Sequence, residues 1–129
     1  MIEHVTITAA NFAASLAFYD AALGALGLVR LAELVDEEDD DSVLEAVGWG
    51  APDAPASVWL VVGAPATSGL HLRLQAISRQ EVETFHRDAL RHGGSHFAAP
   101  RRWTPYPRGE FGAMVRDPAG NLIEAVAPE

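Results

Sequence analysis

Two histidines and one glutamate stand where a metal ion could be held. His4 opens a strand-like stretch, HVTITA, and His71 opens another, HLRLQA, 67 residues later. Within GLHLRLQAIS (69–78), Leu70, Leu72 and Leu74 alternate with His71, Arg73 and Gln75. Such alternation marks a strand with one face on the core and the other turned to something polar. In the earlier stretch Val5, Ile7 and Ala9 take one face, and His4, Thr6 and Thr8 the other. Glu124 lies mid-strand in NLIEAVA, where Ile123 and Ala125 suit the core face and Glu124 shares the opposite face with Leu122 and Val126. A carboxylate among apolar neighbours needs a partner. Two imidazoles and one carboxylate, each on its own strand and facing one concavity, make a site for a divalent metal such as Fe, Mn, Zn or Ni. Arg73 and Gln75 then line the same cup. Plainer readings stand beside this one: a half-exposed strand histidine, and an ion pair of Glu124 with Arg73 or Arg116.

An internal repeat brings these residues together. Sliding the chain by 67 residues lays 4–27 on 71–94, with identities at His4/His71, Ala9/Ala76, Phe18/Phe85, Ala22/Ala89, Leu23/Leu90 and Gly27/Gly94. The candidate N-caps Asn11 and Ser78 also coincide. Agreement in strand pattern, cap, helix face and terminal glycine argues for two copies of one supersecondary unit. After Asn11, the spacing of Phe12, Leu16, Tyr19, Leu23 and Leu26 predicts a helix that stops near Gly24–Gly27. Ser78 and Glu81 form a capping box before a stripe of Val82, Phe85, Ala89 and Leu90, and Gly93 and Gly94 end that helix. Short β-type runs follow each helix, at 28–35, 42–49 and 57–62, then near 95–98, 109–116 and 121–126. The turn DPAGN (117–121) joins the last two. The expected fold is α+β, two βαβββ units pairing into a cup. A single domain of 129 residues would comprise a first unit at 1–62, a linker at 63–69 and a second unit at 70–129.

Bulk properties narrow the function. The chain has no cysteine, which removes disulfides, thiolate catalysis and sulfur-ligated metal centres. Its net charge of −9 argues against nucleic acid as a partner. Six acidic residues form one run, DEEDDD (36–41), and removing them takes −9 to −3. That run reads as a solvated loop tip, and it lacks the internal glycine of a calcium loop. MIEHVTI lacks the basic and apolar regions of a signal peptide, and the Ala-rich stretch 12–29 is too interrupted to span a membrane, so a cytoplasmic protein is expected. His86, His92 and His96 are placed outside the site: beside the apolar stripe, in the last helical turn and in the turn after it.

The ordered landmarks IEHVTI, SLAFYDAALGALGL, HLRLQA and FGAMVRDPAGNLIEAV resemble the vicinal oxygen chelate superfamily, which includes glyoxalase I, extradiol dioxygenases and bleomycin-resistance proteins. The resemblance covers essentially the whole chain. It implies paired βαβββ units forming a metal-holding cup, with His4, His71 and Glu124 at the matching ligand positions. There is one departure. Glyoxalase-type members carry a fourth ligand, commonly Glu, on the last strand of the first unit. Aligning VWLVV (58–62) with IEAVA (123–127) puts Trp59 opposite Glu124 at an offset of 65. Indole is no ligand, so the expectation is a three-ligand site with open positions, and not glyoxalase I itself.

These readings predict a metal-dependent lyase or dioxygenase acting on a small substrate that chelates through vicinal oxygens. The loop PRRWTPYPRGEF (100–111) should border the cup's mouth, with Arg101, Arg102 or Arg108 available to an anionic group and Trp103 or Tyr106 to a ring. The alternative is a metal-free protein that sequesters a small molecule, as the bleomycin-resistance members do. Exposed sheet edges favour a homodimer, with the acidic run outside the interface. The glycines and proline of 63–69 leave open whether the cup forms within one chain or by exchange of units between two.

Overall fold

The computed structural model of the protein describes residues 1–36, 43–103 and 109–128. The first strand, β1 (Val5–Ala9), leads into helix α1 (Phe12–Ala25), followed by β2 (Val29–Val35), β3 (Leu44–Gly50) and β4 (Val58–Val62). The pattern then recurs as β5 (His71–Gln75), α2 (Arg79–Arg91), β6 (Ser95–Trp103), β7 (Glu110–Arg116) and β8 (Leu122–Pro128). Each set of four strands forms its own mixed sheet, in the order β1-β4-β3-β2 and β5-β8-β7-β6. The two βαβββ units read from the repeat are thus the architecture of the molecule. Equivalent pairings are equivalent in register: Thr6 lies beside Trp59 in the parallel β1/β4 pair, and Arg73 beside Glu124 in the parallel β5/β8 pair.

Both helices begin as their caps require. Asn11 accepts from the Ala14 amide, and Ser78 accepts from that of Glu81, whose carboxylate reaches back to the Ile77 amide. Each helix covers one face of its own sheet, and the helices also pack on each other. Helix α1 therefore buries Ser15, Phe18, Tyr19, Ala22 and Leu23, a wider face than the stripe Phe12-Leu16-Tyr19-Leu23-Leu26. A sheet contact alone would need one stripe, but a helix wedged between a sheet and another helix needs two. Fully burying each of Phe18, Tyr19 and Leu23 contributes roughly 1.5–3 kcal/mol. The helix–helix seam is tight: a Cβ on Gly94 would come 2.7 Å from the Phe18 ring.

The segment between the sheets is pinned at both ends. Thr8 and Thr67 exchange two hydrogen bonds of 2.8 Å, and Asn121 donates to the Thr67 carbonyl at 2.8 Å while accepting from the Leu70 amide at 3.0 Å. A second clamp joins α1 to the β7–β8 turn. The Tyr19 hydroxyl donates to Asp117 Oδ2 at 2.5 Å, and both residues are buried. Burial, then the charge and hydrogen bond of Asp117, hold the Tyr19 hydroxyl well above its ordinary pKa, so it remains a donor.

Strand β6 runs on to Trp103, beyond the expected end at Ala98, because Arg101, Arg102 and Trp103 pair with Gly112, Phe111 and Glu110. The register shifts between Ala98 and Arg101, and Pro100, which has no amide to donate, falls in that shift. Part of the expected mouth loop is therefore strand. The acidic residues 37–41 lie outside the described residues, as do Tyr106 and Arg108.

Candidate functional site

The helices cover one face of each sheet, and the faces turned away from them carry the polar residues. On the first sheet that face forms a cavity of about 550 Å³ lined by His4, Thr6, Leu34, Glu45, Ala46, Trp59, Val61 and Val62. His4 sits one residue before β1, and Trp59 lies mid-strand in β4. The indole of Trp59 rests over Gly48 of β3, its direct cross-strand partner. A Cβ there would come within 2.9 Å of the ring, so the missing side chain gives the indole its place.

On the second sheet, His71 Nε2 lies 3.0 Å from Glu124 Oε1. Glu124 is 2% exposed, whereas the His71 side chain is 53% exposed. Arg73 Nε is 3.6 Å from the same carboxylate oxygen, and the Arg73 guanidinium also pairs with Glu110. Arg73, Gln75 and Glu110 line a smaller cavity of about 310 Å³ with Gly109 and Val126. The buried carboxylate is thus fully partnered, as burial of a charge demands.

One chain joins two of the three expected ligands. His71 and Glu124 meet, while His4 belongs to the cavity of the other sheet. Among the described residues no group of three His, Asp or Glu side chains is placed to hold a metal. The pair itself suits an ion. Two donors each about 2.1 Å from a metal at right angles stand about 3 Å apart, which matches the His71–Glu124 separation. The donor chemistry fits half a site, with the Arg73 cation competing for the carboxylate.

The other expected lining residues divide likewise. Trp59 walls the first cavity, and Arg73 and Gln75 the second. Trp103 donates from Nε1 to the Gly112 carbonyl at 3.2 Å, and the Arg101 guanidinium stacks 3.8 Å from its ring centroid. Glu45, Leu34 and Val61 were not foreseen as lining residues. Val61 could have been found, since it shares the parity of Trp59 on β4. Leu34 lies near the end of β2 just before the acidic run and Glu45 shortly after it, where nothing local signals which way a side chain faces. Of the remaining histidines, His92 Nδ1 contacts the Asp88 carbonyl, and His86 meets His96. Burial, then the neighbouring His96, hold the His86 pKa below its ordinary value.

The sequence model for the Glyoxalase/Bleomycin resistance protein/Dioxygenase superfamily matches residues 1–125. The chain belongs to that superfamily. Within it, a glyoxalase/bleomycin resistance protein from Albidiferax ferrireducens is 25% identical, with a TM-score of 0.78 over 97% of each chain. A putative glyoxalase from Bacillus halodurans (21% identity, TM-score 0.68, covering 99% of this chain and 96% of that one) shares the fold. So does a lactoylglutathione lyase from Agrobacterium tumefaciens (20% identity, TM-score 0.63, covering 98% and 92%). No curated protein matches the chain. The superfamily contains both lyases and dioxygenases, and among the described residues no helix is long and apolar enough to cross a membrane.

Proposed function

We propose that this superfamily member is a metal-dependent enzyme acting on a small substrate that chelates through vicinal oxygens, with its cup completed between two copies of the chain. The observation that carries the reading is the 3.0 Å approach of His71 Nε2 to buried Glu124 Oε1, on strands whose register repeats that of Thr6 and Trp59. His71 and Glu124 of one copy and His4 of the other would hold the ion. That division is consistent with β1 and β5 both lying at the edges of their sheets, where each can meet another strand. A bound divalent ion would supply a Lewis acid for two adjacent substrate oxygens.

The chain's own residues then set what can enter. Trp59 takes the register position in the first sheet that Glu124 takes in the second and offers an apolar wall in place of a carboxylate, which disfavours proton transfer of the glyoxalase I type. Arg73, held between Glu110 and Glu124, would help aim the Glu124 side chain across the strand. Elemental analysis of protein purified without chelator tests the reading. We expect about one divalent ion per cup in the native protein, and loss of that ion in Glu124→Gln with the fold intact. A metal-free protein that takes up no added Fe, Mn, Zn or Ni would overturn it.

One observation favours a second reading, a metal-free sequestering protein of the bleomycin-resistance type. The Arg73 guanidinium already lies beside Glu124, so the carboxylate has a cation without any metal. On that reading Glu124→Gln leaves ligand binding intact and lowers stability alone.

A further inference from the structure

Away from both cavities, helix α2 and strand β6 bring two histidines together. His86 Nε2 and His96 Nδ1 stand 3.3 Å apart, with ring planes at 83° and centroids 5.5 Å apart. The near-perpendicular rings set an edge of one imidazole against the other. Two nitrogens at this separation, each about 2.1 Å from a shared ion, subtend roughly 105°, close to the tetrahedral angle. Both side chains are carried by rigid elements. His86 rides on α2, anchored by buried Val82, Phe85 and Ala89, and His96 is in register with Val115 of β7. His96 is exposed and His86 half-buried, so an ion can reach the pair from solvent.

We propose that His86 and His96 form a second, surface metal site, a bidentate chelate for an imidazole-preferring divalent ion such as Cu²⁺, Ni²⁺ or Zn²⁺. The donor set selects that class: imidazole nitrogens suit these ions, whereas Mg²⁺ and Ca²⁺ demand oxygen ligands. No third His, Asp or Glu joins the two among the described residues. The remaining coordination positions are therefore open to water or to a donor from another molecule. The site is independent of His4, His71 and Glu124, and stands whether or not the cup holds a metal.

Substoichiometric Cu²⁺ added to the full-length protein, with histidine ring signals followed by NMR, tests the proposal. The signals of His86 and His96 should broaden together, ahead of His92, in the native protein and equally in His71→Ala. Loss of an outer-shell partner alone commonly costs a metal site about 10-fold or more in affinity, so His96→Ala should weaken Cu²⁺ binding at this site by at least ~10-fold. His86→Asn should do the same, and because His96 is exposed the His96→Ala variant should fold normally. Equal broadening of every histidine, or undiminished affinity in His96→Ala, would overturn the assignment.

Discussion

Replacing Tyr19 with Phe removes one oxygen from the seam between the two units. The lost bond is the 2.5 Å donation to Asp117 Oδ2, between a tyrosine that is 0% exposed and an aspartate that is 3% exposed. Hydrogen bonds to buried charges contribute about 1.5–3 kcal/mol. Asp117 would keep three other donors, the amides of Ala119 and Asn121 on Oδ1 and Asn121 Nδ2 on Oδ2. Its charge is therefore not orphaned, and a cost near the middle, about 2 kcal/mol, is expected. The ring stays, so no cavity term adds to this. With about 2.1 cal/mol/K of unfolding entropy per residue, a chain of 129 residues should melt about 7 °C lower. Urea unfolding followed by circular dichroism supplies the measurement, with Asp117→Asn and the double variant closing a thermodynamic cycle. The reasoning fails if Tyr19→Phe costs less than about 0.5 kcal/mol, or if the two substitutions add without coupling. Because the Tyr19 pKa lies above its ordinary value, the cost should not vary between pH 6 and 8.

Two further outcomes follow from single contacts. Burial alone would raise the Asp20 pKa, but hydrogen bonds from Arg30 and Trp49 and the Arg30 charge outweigh it and leave the group below its ordinary value. A depressed folded-state pKa gives stability that is fully present above the unfolded value of about 3.9 and is lost as pH falls through the lower, folded-state value. Asp20→Asn should therefore lower the urea midpoint at pH 7, and the gap should narrow as pH falls below about 3.9; solvent screening of this half-exposed pair keeps the effect small, and a gap that does not change with acidification would contradict the assignment. Gly48→Ala should cost about 1–3 kcal/mol, since the new Cβ would stand 2.9 Å from both Ala56 Cβ and the Trp59 ring; unchanged unfolding would show that the indole is free to move aside.

The repeat carried most of the fold. Alternation in HVTITA and HLRLQA, the caps at Asn11 and Ser78 and the DPAGN turn are local signals, and local geometry follows from them. What sequence could not give was the relation between the units, because that rests on contacts 98 and 54 residues apart, Tyr19 with Asp117 and Thr67 with Asn121. The same gap limited the site. Parity assigned His71, Arg73 and Glu124 to one face, and the β5/β8 register agrees. Parity also put His4 on a cup-facing position, but nothing local states which sheet closes the cup over it. The extent of β6 was missed for a related reason: Pro100 reads as a strand breaker until the register shift that accommodates it is known.

The two sheets share a topology and differ in what their open faces carry. The first offers an apolar wall of Leu34, Trp59, Val61 and Val62 with His4 at its edge. The second offers Glu124 hydrogen-bonded to His71 and ion-paired with Arg73. A cup made from two copies of the first face would carry His4 and Glu45 of each copy but neither His71 nor Glu124. One made from two copies of the second would crowd two Glu124–Arg73 groups together and leave both His4 side chains outside. On the proposed function, pairing the unlike faces would put an aromatic wall against a charged one and add His4 to His71 and Glu124. A twofold dimer generates that unlike pairing twice, because an isologous interface meets residue i with j and j with i. The helix packing and the Tyr19–Asp117 clamp join the two units on their helix-covered sides, which on the proposed function would leave both open faces to a second copy. On the proposed function, then, the contact that fixes the unit arrangement within a chain is also what assigns the missing ligand to a second copy.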